Sequence, residues 1–439
     1  MSVSTAPAPA TSRPGGGPAG PTAARQSLAA RLRHGAAAWF AGTPGRMRVL
    51  LLIALALSVL FGAGVAQTFR NADSSLGRAQ DNTAQLVRVQ TIHTNLVSAN
   101  AVATKAFLKG GLEPTEQRQE FVTSLDKAAK LITEASKAQP ADATALGALN
   151  TTLVSYRGLI EQARSNNRQG LPVGAQYLKD ANSLIETDAL PVLNALVAAN
   201  KQRVDDEFSN TGNGRIWVLA AGLVALLALI VVMLWLAQHS HRYINVPLAV
   251  AAILVLLTTV VGVGLLSLAK SRADDVKSSS YAGTLALASA RIGGYDAQSN
   301  ENLTLIARGS GAGFETSWKK DAEDTRGYLA EADRLGVGAS SQWNAYETAH
   351  KRVRDLDNSG NWDGAVDQAL GPKGQAFTSF DAFARASGTS LDKTSEAAQS
   401  GLRDAGGGLS LMGWLGIPIG LVVALLAWWG LSQRLEEYR

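Results

Sequence analysis

Two apolar runs joined by a short linker constrain this chain more than any other feature. Residues 216–237 (IWVLAAGLVALLALIVVMLWLA) and 248–268 (LAVAAILVLLTTVVGVGLLSL) carry no charge. A bilayer core needs about 20 apolar residues per helix, so each run can span it. The linker 238–247 (QHSHRYINVP) is too short to fold. Two spans joined this way form an antiparallel hairpin, and the chain before and after it lies on one face of the membrane.

Two more runs, 49–66 and 409–431, raise the number of expected spans to four. The remaining segments are an arm (1–24), a basic juxtamembrane segment (25–48), a first large domain (67–215), the linker, a second large domain (269–408) and a tail (432–439). Basic residues set orientation, because cytoplasmic segments are enriched in Lys and Arg. Arg13, Arg25, Arg31, Arg33, Arg46 and Arg48 precede the first span with no acid among them, and the linker carries only Arg242. Acids match or outnumber the bases in the second domain and nearly balance them in the first. The expectation is that both termini and the linker are cytoplasmic and both large domains extracytoplasmic, in the cell membrane. A cleaved signal peptide is the rival reading of 49–66. Such peptides run about 15–30 residues in all, and here a long arm comes first.

Residues 1–24 are mostly Ala, Pro, Gly, Ser and Thr, a composition that buries too little apolar surface to order itself. Residues 25–42 fit a basic helix lying on an anionic leaflet, or simply the positive flank of a span. Beyond the first span no breaker occurs before Gly110-Gly111. Leu86, Val89, His93, Leu96, Asn100, Ala103 and Phe107 repeat at alternating three- and four-residue spacing, the seam of a packed helix. Further stripes follow at Phe121–Ala135 and Leu146–Ala163, with a loop expected at 165–172 and a kink or restart at Pro191. The second domain repeats the plan, with stripes at Trp318–Ala332, Trp343–Val353 and Phe377–Ala398. Its last helix is expected to run unbroken into the fourth span. The fold class is therefore all-α: four transmembrane helices with two extracytoplasmic up-and-down four-helix bundles, a tandem of span–bundle–span units.

With no cysteine, a disulfide framework, a thiolate metal site and a cysteine nucleophile are excluded. No P-loop, dinucleotide fingerprint or GxSxG occurs, and the histidines do not cluster with acids, so no enzyme, metal or cofactor is expected. His239 and His241 fit a solvated loop, and His93 and His350 fit hydrogen-bonded core positions. The spans contain no ionisable residue, which argues against an ion-coupled transporter. Gly416 and Gly420 around Pro418 fit close helix packing. His93, Asn100 and Asn302 interrupt apolar stripes. Such buried polar residues fix register, or permit two registers and so form a switch. Each bundle looks filled by its own stripes, with no room for a ligand. On the cytoplasmic side the candidate partner contacts are Arg242, Arg434, Glu436, Glu437, Tyr438 and Arg439.

SANAVATKAFLKGG (98–111), SNENLTLIARG (299–309), GNWDGAV (360–366) and QRLEEYR (433–439), together with the four-span layout, resemble the GlnX-like membrane proteins of actinobacteria. The resemblance implies a signal transducer that couples a GlnH-like amino-acid-binding lipoprotein outside to a PknG-like Ser/Thr kinase inside. Two other readings stand beside it: a chemoreceptor-like sensor that binds a small molecule directly, and a structural membrane protein without a switch.

Overall fold

The computed structural model describes residues 42–109, 113–210, 213–240 and 245–436. Among these there is no strand. The first described helix, α1 (Gly42–Lys109), is 68 residues long without interruption. At 1.5 Å per residue it is ~100 Å long, enough to cross a bilayer and continue far beyond it. Pro44 lies in its first turn, where a missing N–H costs nothing, and no proline follows.

Three further helical segments complete a first module with the outer part of α1. Helix α2 (Thr115–Ala138) buries Phe121, Leu125, Ala128, Ile132 and Ala135, the stripe its spacing predicts. Helix α3 (Ala143–Arg168) buries Leu146, Leu149, Leu153, Tyr156, Ile160 and Ala163, again as predicted. It runs four residues into the expected loop, to Arg168, and stops where Gly170 takes the left-handed conformation (φ +68°). The Leu171 amide then caps the Asn166 carbonyl at 3.0 Å, a Schellman-type ending. The fourth segment is α4 (Val173–Leu184), a π-helical turn (Ile185–Ala189) and α5 (Leu190–Asn210). The wider turn comes just before Pro191, whose ring and missing N–H cannot continue an α-helix, so the chain bends by a π turn rather than breaking.

Helix α6 (Gly214–Ser240) and helix α7 (Val246–Val276) are the central hairpin. Helix α7 passes through a second π turn (Lys277–Tyr281) into α8 (Ala282–Ile306). The second module adds α9 (Ala312–Arg334), α10 (Ser340–Asn358), the short α11 (Trp362–Leu370) and α12 (Gln375–Ala405). Helix α13 (Leu409–Glu436) is the last. Contrary to the expectation of one unbroken helix, α12 and α13 are separated by a turn at 406–408. Three consecutive glycines allow it, with Gly408 left-handed at φ +89°.

Among the described residues four helical stretches are long and apolar enough to cross a membrane, and lie in α1, α6, α7 and α13. They pack as a ring: α1 meets α13 and α6, and α7 meets the same two. At the α1–α13 contact the two backbones approach closely. A Cβ on Gly420 would lie 2.7 Å from the Gly62 Cα, and one on Gly416 2.6 Å from the Ala66 nitrogen, so the small pair at 416 and 420 serves close packing. Asn245 ties the hairpin to the last span by donating to the Gly430 carbonyl at 2.7 Å.

The two modules are not independent. Helix α1 lies against α8, and α12 also reaches α1. Residues 96–104 of α1 and 299–305 of α8 are buried throughout, on every face. One face of α1 serves its own module and the other serves the neighbour. Leu303 accordingly joins the core of the first module, and Leu108 that of the second.

Candidate functional site at the seam between the modules

The α1–α8 seam is polar at its centre. Asn100 donates from Nδ2 to Asn182 Oδ1 at 2.7 Å and to Ser299 Oγ at 3.1 Å. It accepts from the Tyr156 hydroxyl at 3.3 Å. One amide thus joins α1 to α3, α4 and, across the seam, α8. About a turn further along, Asn302 of α8 donates to the Ala101 carbonyl and the Thr104 hydroxyl, at 3.4 and 3.3 Å. These partners advance together along both helices, so α1 and α8 run parallel. Burying amides is costly unless they are paired, and here each has a partner.

Of the three polar residues singled out in the sequence, the fold brings Asn100 and Asn302 into this seam. His93 lies two turns nearer the membrane on the same side of α1 as Asn100 by helical spacing. It is buried, and its Nε2 has no hydrogen-bond partner among the described residues. Burial pushes its pKa down to about 4, so it is neutral. The candidate contacts Arg242, Glu437, Tyr438 and Arg439 lie outside the described residues, as do the side chains of Arg434 and Glu436.

Nearer the spans the seam is charged. Lys277, in the second π turn, pairs with Asp205 of α5 at 2.7 Å, and Tyr281 packs on Phe208 with ring centres 6.2 Å apart. Further out, Lys105 of α1 sits 4.0 Å over the Phe377 ring of α12. The modules therefore meet from just above the spans almost to the far end of α1.

Each module also contains a buried ionic cluster that sequence spacing does not reveal. In the first, Asp142 accepts from Arg203 at 2.8 Å, Asn200 at 2.9 Å and Gln85 at 3.3 Å. Burial alone would raise its carboxyl, but these bonds outweigh burial and hold it below the usual range. In the second, His350 bonds Glu301 through Nδ1 at 2.6 Å and faces Glu315 through Nε2 at 3.3 Å. Trp318 stacks on its ring at 3.5 Å. Burial lowers the His350 pKa, yet the two carboxylates more than compensate and leave it raised. His350 is thus a bonded core residue, as expected.

The apolar stripes fill the module cores, but cavities open where the helix ends converge. One of about 340 Å³ is lined by Glu113, Arg118, Glu161 and Arg164. Another of about 820 Å³ is lined by Glu315, Lys319, Lys351 and Arg354. The expectation of no room for a ligand holds for the stripes and fails at these ends. In each cavity the charged residues come from at least two segments far apart in sequence, as with Glu113 and Arg164 in the first and Glu315 and Arg354 in the second.

Among the described residues every regular element is helical, four apolar helices are of membrane length and two modules share a polar seam, the build of a multi-pass membrane protein. Residues 75–209, which form most of the first module, match the family model described as "Actinobacterial sensor domain". That similarity supports a sensing or signalling role in actinobacteria for this part of the chain. No curated protein and no solved structure matches the chain.

Proposed function

We propose that the chain is a transmembrane signal transducer in which the seam between the modules is the moving part. One observation carries this reading. Helix α1 continues unbroken from the first span into the seam and packs there against α8, which itself continues from the third span through a π turn. A change in seam packing has a helical path to two spans. Helix shifts of about 1–2 Å at such interfaces are an established means of switching. An input moves the balance only by its differential affinity for the two packings.

In this reading both modules lie outside the cell, and the arm, linker and tail present the output inside. The resemblance to GlnX-like proteins supplies the proposed partners, a GlnH-like solute-binding lipoprotein outside and a PknG-like Ser/Thr kinase inside. The chain itself performs no catalysis. The test is affinity purification of the tagged full chain from an actinobacterial membrane, followed by assay for both partners. Tyr438→Ala, which leaves every anchoring charge in place, is expected to weaken kinase capture while membrane abundance stays normal. Recovery of neither partner under conditions that preserve membrane complexes would contradict the pairing. The charged cavities at the module ends favour a second reading, direct sensing of a small molecule. Saturable binding of aspartate or glutamate to the full chain, without a lipoprotein, would support that one.

A further inference from the structure

At the wall of the second module's cavity, of about 820 Å³, three cationic groups converge on one carboxylate and none of them bonds it. Glu315 Oε2 lies 3.3 Å from His350 Nε2 and 3.3 Å from Arg354 Nε, and Oε1 lies 3.7 Å from Lys319 Nζ. Charge-assisted N–H···O bonds close to about 2.7–2.9 Å. Glu315 Oε2 and His350 Nε2 are both buried, and neither makes a hydrogen bond. The His350 side chain is 2% exposed and lines the cavity, fixed by its Nδ1 bond to Glu301 and by Trp318 stacked on its ring. Burial alone would raise the Glu315 carboxyl, yet His350, Arg354 and Lys319 outweigh burial and hold it below the usual range, so this place favours an anionic oxygen. The charged cavity of the first module shows the contrast. There Arg164 bonds Glu113 at 2.8 Å and Glu161 at 3.1 Å, and Arg118 bonds Glu161 at 3.0 Å, so its carboxylates are satisfied.

The second cavity also offers an anion more than Glu315 takes up. Lys351 lines it, exposed and without an ion pair to any described residue. Helix α9 starts on it at Gly311 and Ala312, and no side chain caps that start. A Cβ at Gly311 would lie 2.7 Å from the Thr304 carbonyl oxygen, so a capping residue does not fit and the first-turn amides stay open to an anion. Of the two aspartates in the lining, Asp357 is paired with Arg354 at 2.7 Å and Asp355 is exposed. The volume falls within the ~300–1,000 Å³ of ordinary small-molecule sites. We infer that this cavity binds the carboxylate or phosphate group of a small ligand, on Lys351, the start of α9 and the cations gathered round Glu315, which is a loosely fitted internal anion that the ligand displaces. Glu315 lies in the first turn of α9, where its side chain can swing out. Its release is felt by His350 and so by Glu301 of α8, which adjoins the seam residues Asn300 and Asn302. Direct sensing, the reading this rests on, thereby gains a site and a ligand class.

The test uses the full chain in nanodiscs at pH 7, with succinate and inorganic phosphate as probes and sodium chloride at equal ionic strength as the control. Thermal unfolding is expected to shift upward saturably with at least one probe, and isothermal titration to give a single site per chain. Which probe binds tells which oxyanion the cavity takes. Lys351→Gln changes an exposed side chain, so it should unfold like the parent without ligand and bind about tenfold or more weakly, the loss expected for one charged hydrogen bond. Glu315→Gln removes the competing carboxylate and should bind more tightly, a gain that misfolding cannot produce. The proposal is overturned by no saturable response to either probe, by chloride reproducing the shift, or by unchanged affinity in either variant. Binding that leaves the distance between the span ends unchanged would support this site and count against the seam switch. Absent binding in a chain whose span ends still respond to seam mutations would remove this site alone.

Discussion

Asn100 in the first module and Ser299 in the second are joined by a 3.1 Å hydrogen bond across 199 positions of chain. Asn302 and Thr104 meet at nearly the same offset, 198 positions. The near-constant offset means that the first helices of the two modules lie side by side, parallel and almost in register. That arrangement suits a duplicated span–module–span unit. Since each helix rises from a span, the seam relates the position of the first span to that of the third.

Replacing Asn100 tests the energetic weight of the seam. Asn100→Leu keeps the branched shape and removes bonds to Asn182, Ser299 and Tyr156. Leaving buried polar groups unpaired costs about 1–3 kcal/mol. Asn302→Leu should cost less, because its two bonds are longer, at 3.4 and 3.3 Å. Thermal unfolding of the full chain in nanodiscs should rank the parent above Asn302→Leu and Asn302→Leu above Asn100→Leu.

Close packing of the first and last spans makes a glycine prediction. Gly62→Leu or Gly420→Leu would drive a side chain into backbone of the facing helix, and overpacking of this kind costs about 1–3 kcal/mol. A Cβ at Gly64 meets nothing within 4 Å, so Gly64→Leu should leave stability unchanged. The melting temperatures of the three variants distinguish crowding from a general intolerance of larger residues.

Two buried histidines give stability opposite pH dependences. His93 is held neutral with its pKa near 4, whereas an unfolded histidine binds a proton below about 6.5. Its contribution is complete above about 6.5 and is lost as pH falls through 4. His350 is raised, so its pairing with Glu301 and Glu315 stabilises fully below about 6.5 and fades as pH rises through its folded value. His93→Gln should flatten the acid limb of the stability profile, and His350→Gln the alkaline limb. Urea unfolding from pH 4 to 9 measures both.

Orientation is tested by fusions. Alkaline phosphatase joined after residue 150 or 350 is expected to be active, and after 241 or 439 inactive. Activity at 241 would reverse the proposed topology.

The module stripes were legible because one helix facing one core leaves a clean three- and four-residue repeat, as in α2, α3 and α9. The seam was not, because a stripe shows which side of a helix is covered but not by what. A signal was present: no Asp, Glu, Lys or Arg occurs between Arg88 and Lys105, so α1 has no charged face there to offer water. In α8 the same signal is obscured. Arg291, Asp296 and Glu301 look like a solvated face, yet Glu301 is buried against His350 and Arg291 bonds the Ala384 carbonyl and Ser387. Pro191 signals its kink, whereas the glycines at 406–408 interrupt a helix that the stripe predicts to be unbroken; the form of each, a π turn and a left-handed turn, depends on what packs around it. The distal cavities need charges brought together from separate helix ends, as with Glu113 and Arg164, 51 positions apart.

The central claim is that the seam between the modules is coupled to the far ends of the spans. The chain has no cysteine, so two introduced ones can be labelled without background. Spin labels at Gln238→Cys and Gln433→Cys, at the far ends of the second and fourth spans, would report distance by double electron–electron resonance in nanodiscs. The account predicts that adding Asn100→Leu shifts or splits this distance distribution, by about 1–2 Å in its main peak. An unchanged distribution, in a protein where labels at Val154→Cys and Tyr328→Cys show that the modules themselves have moved apart, would contradict it.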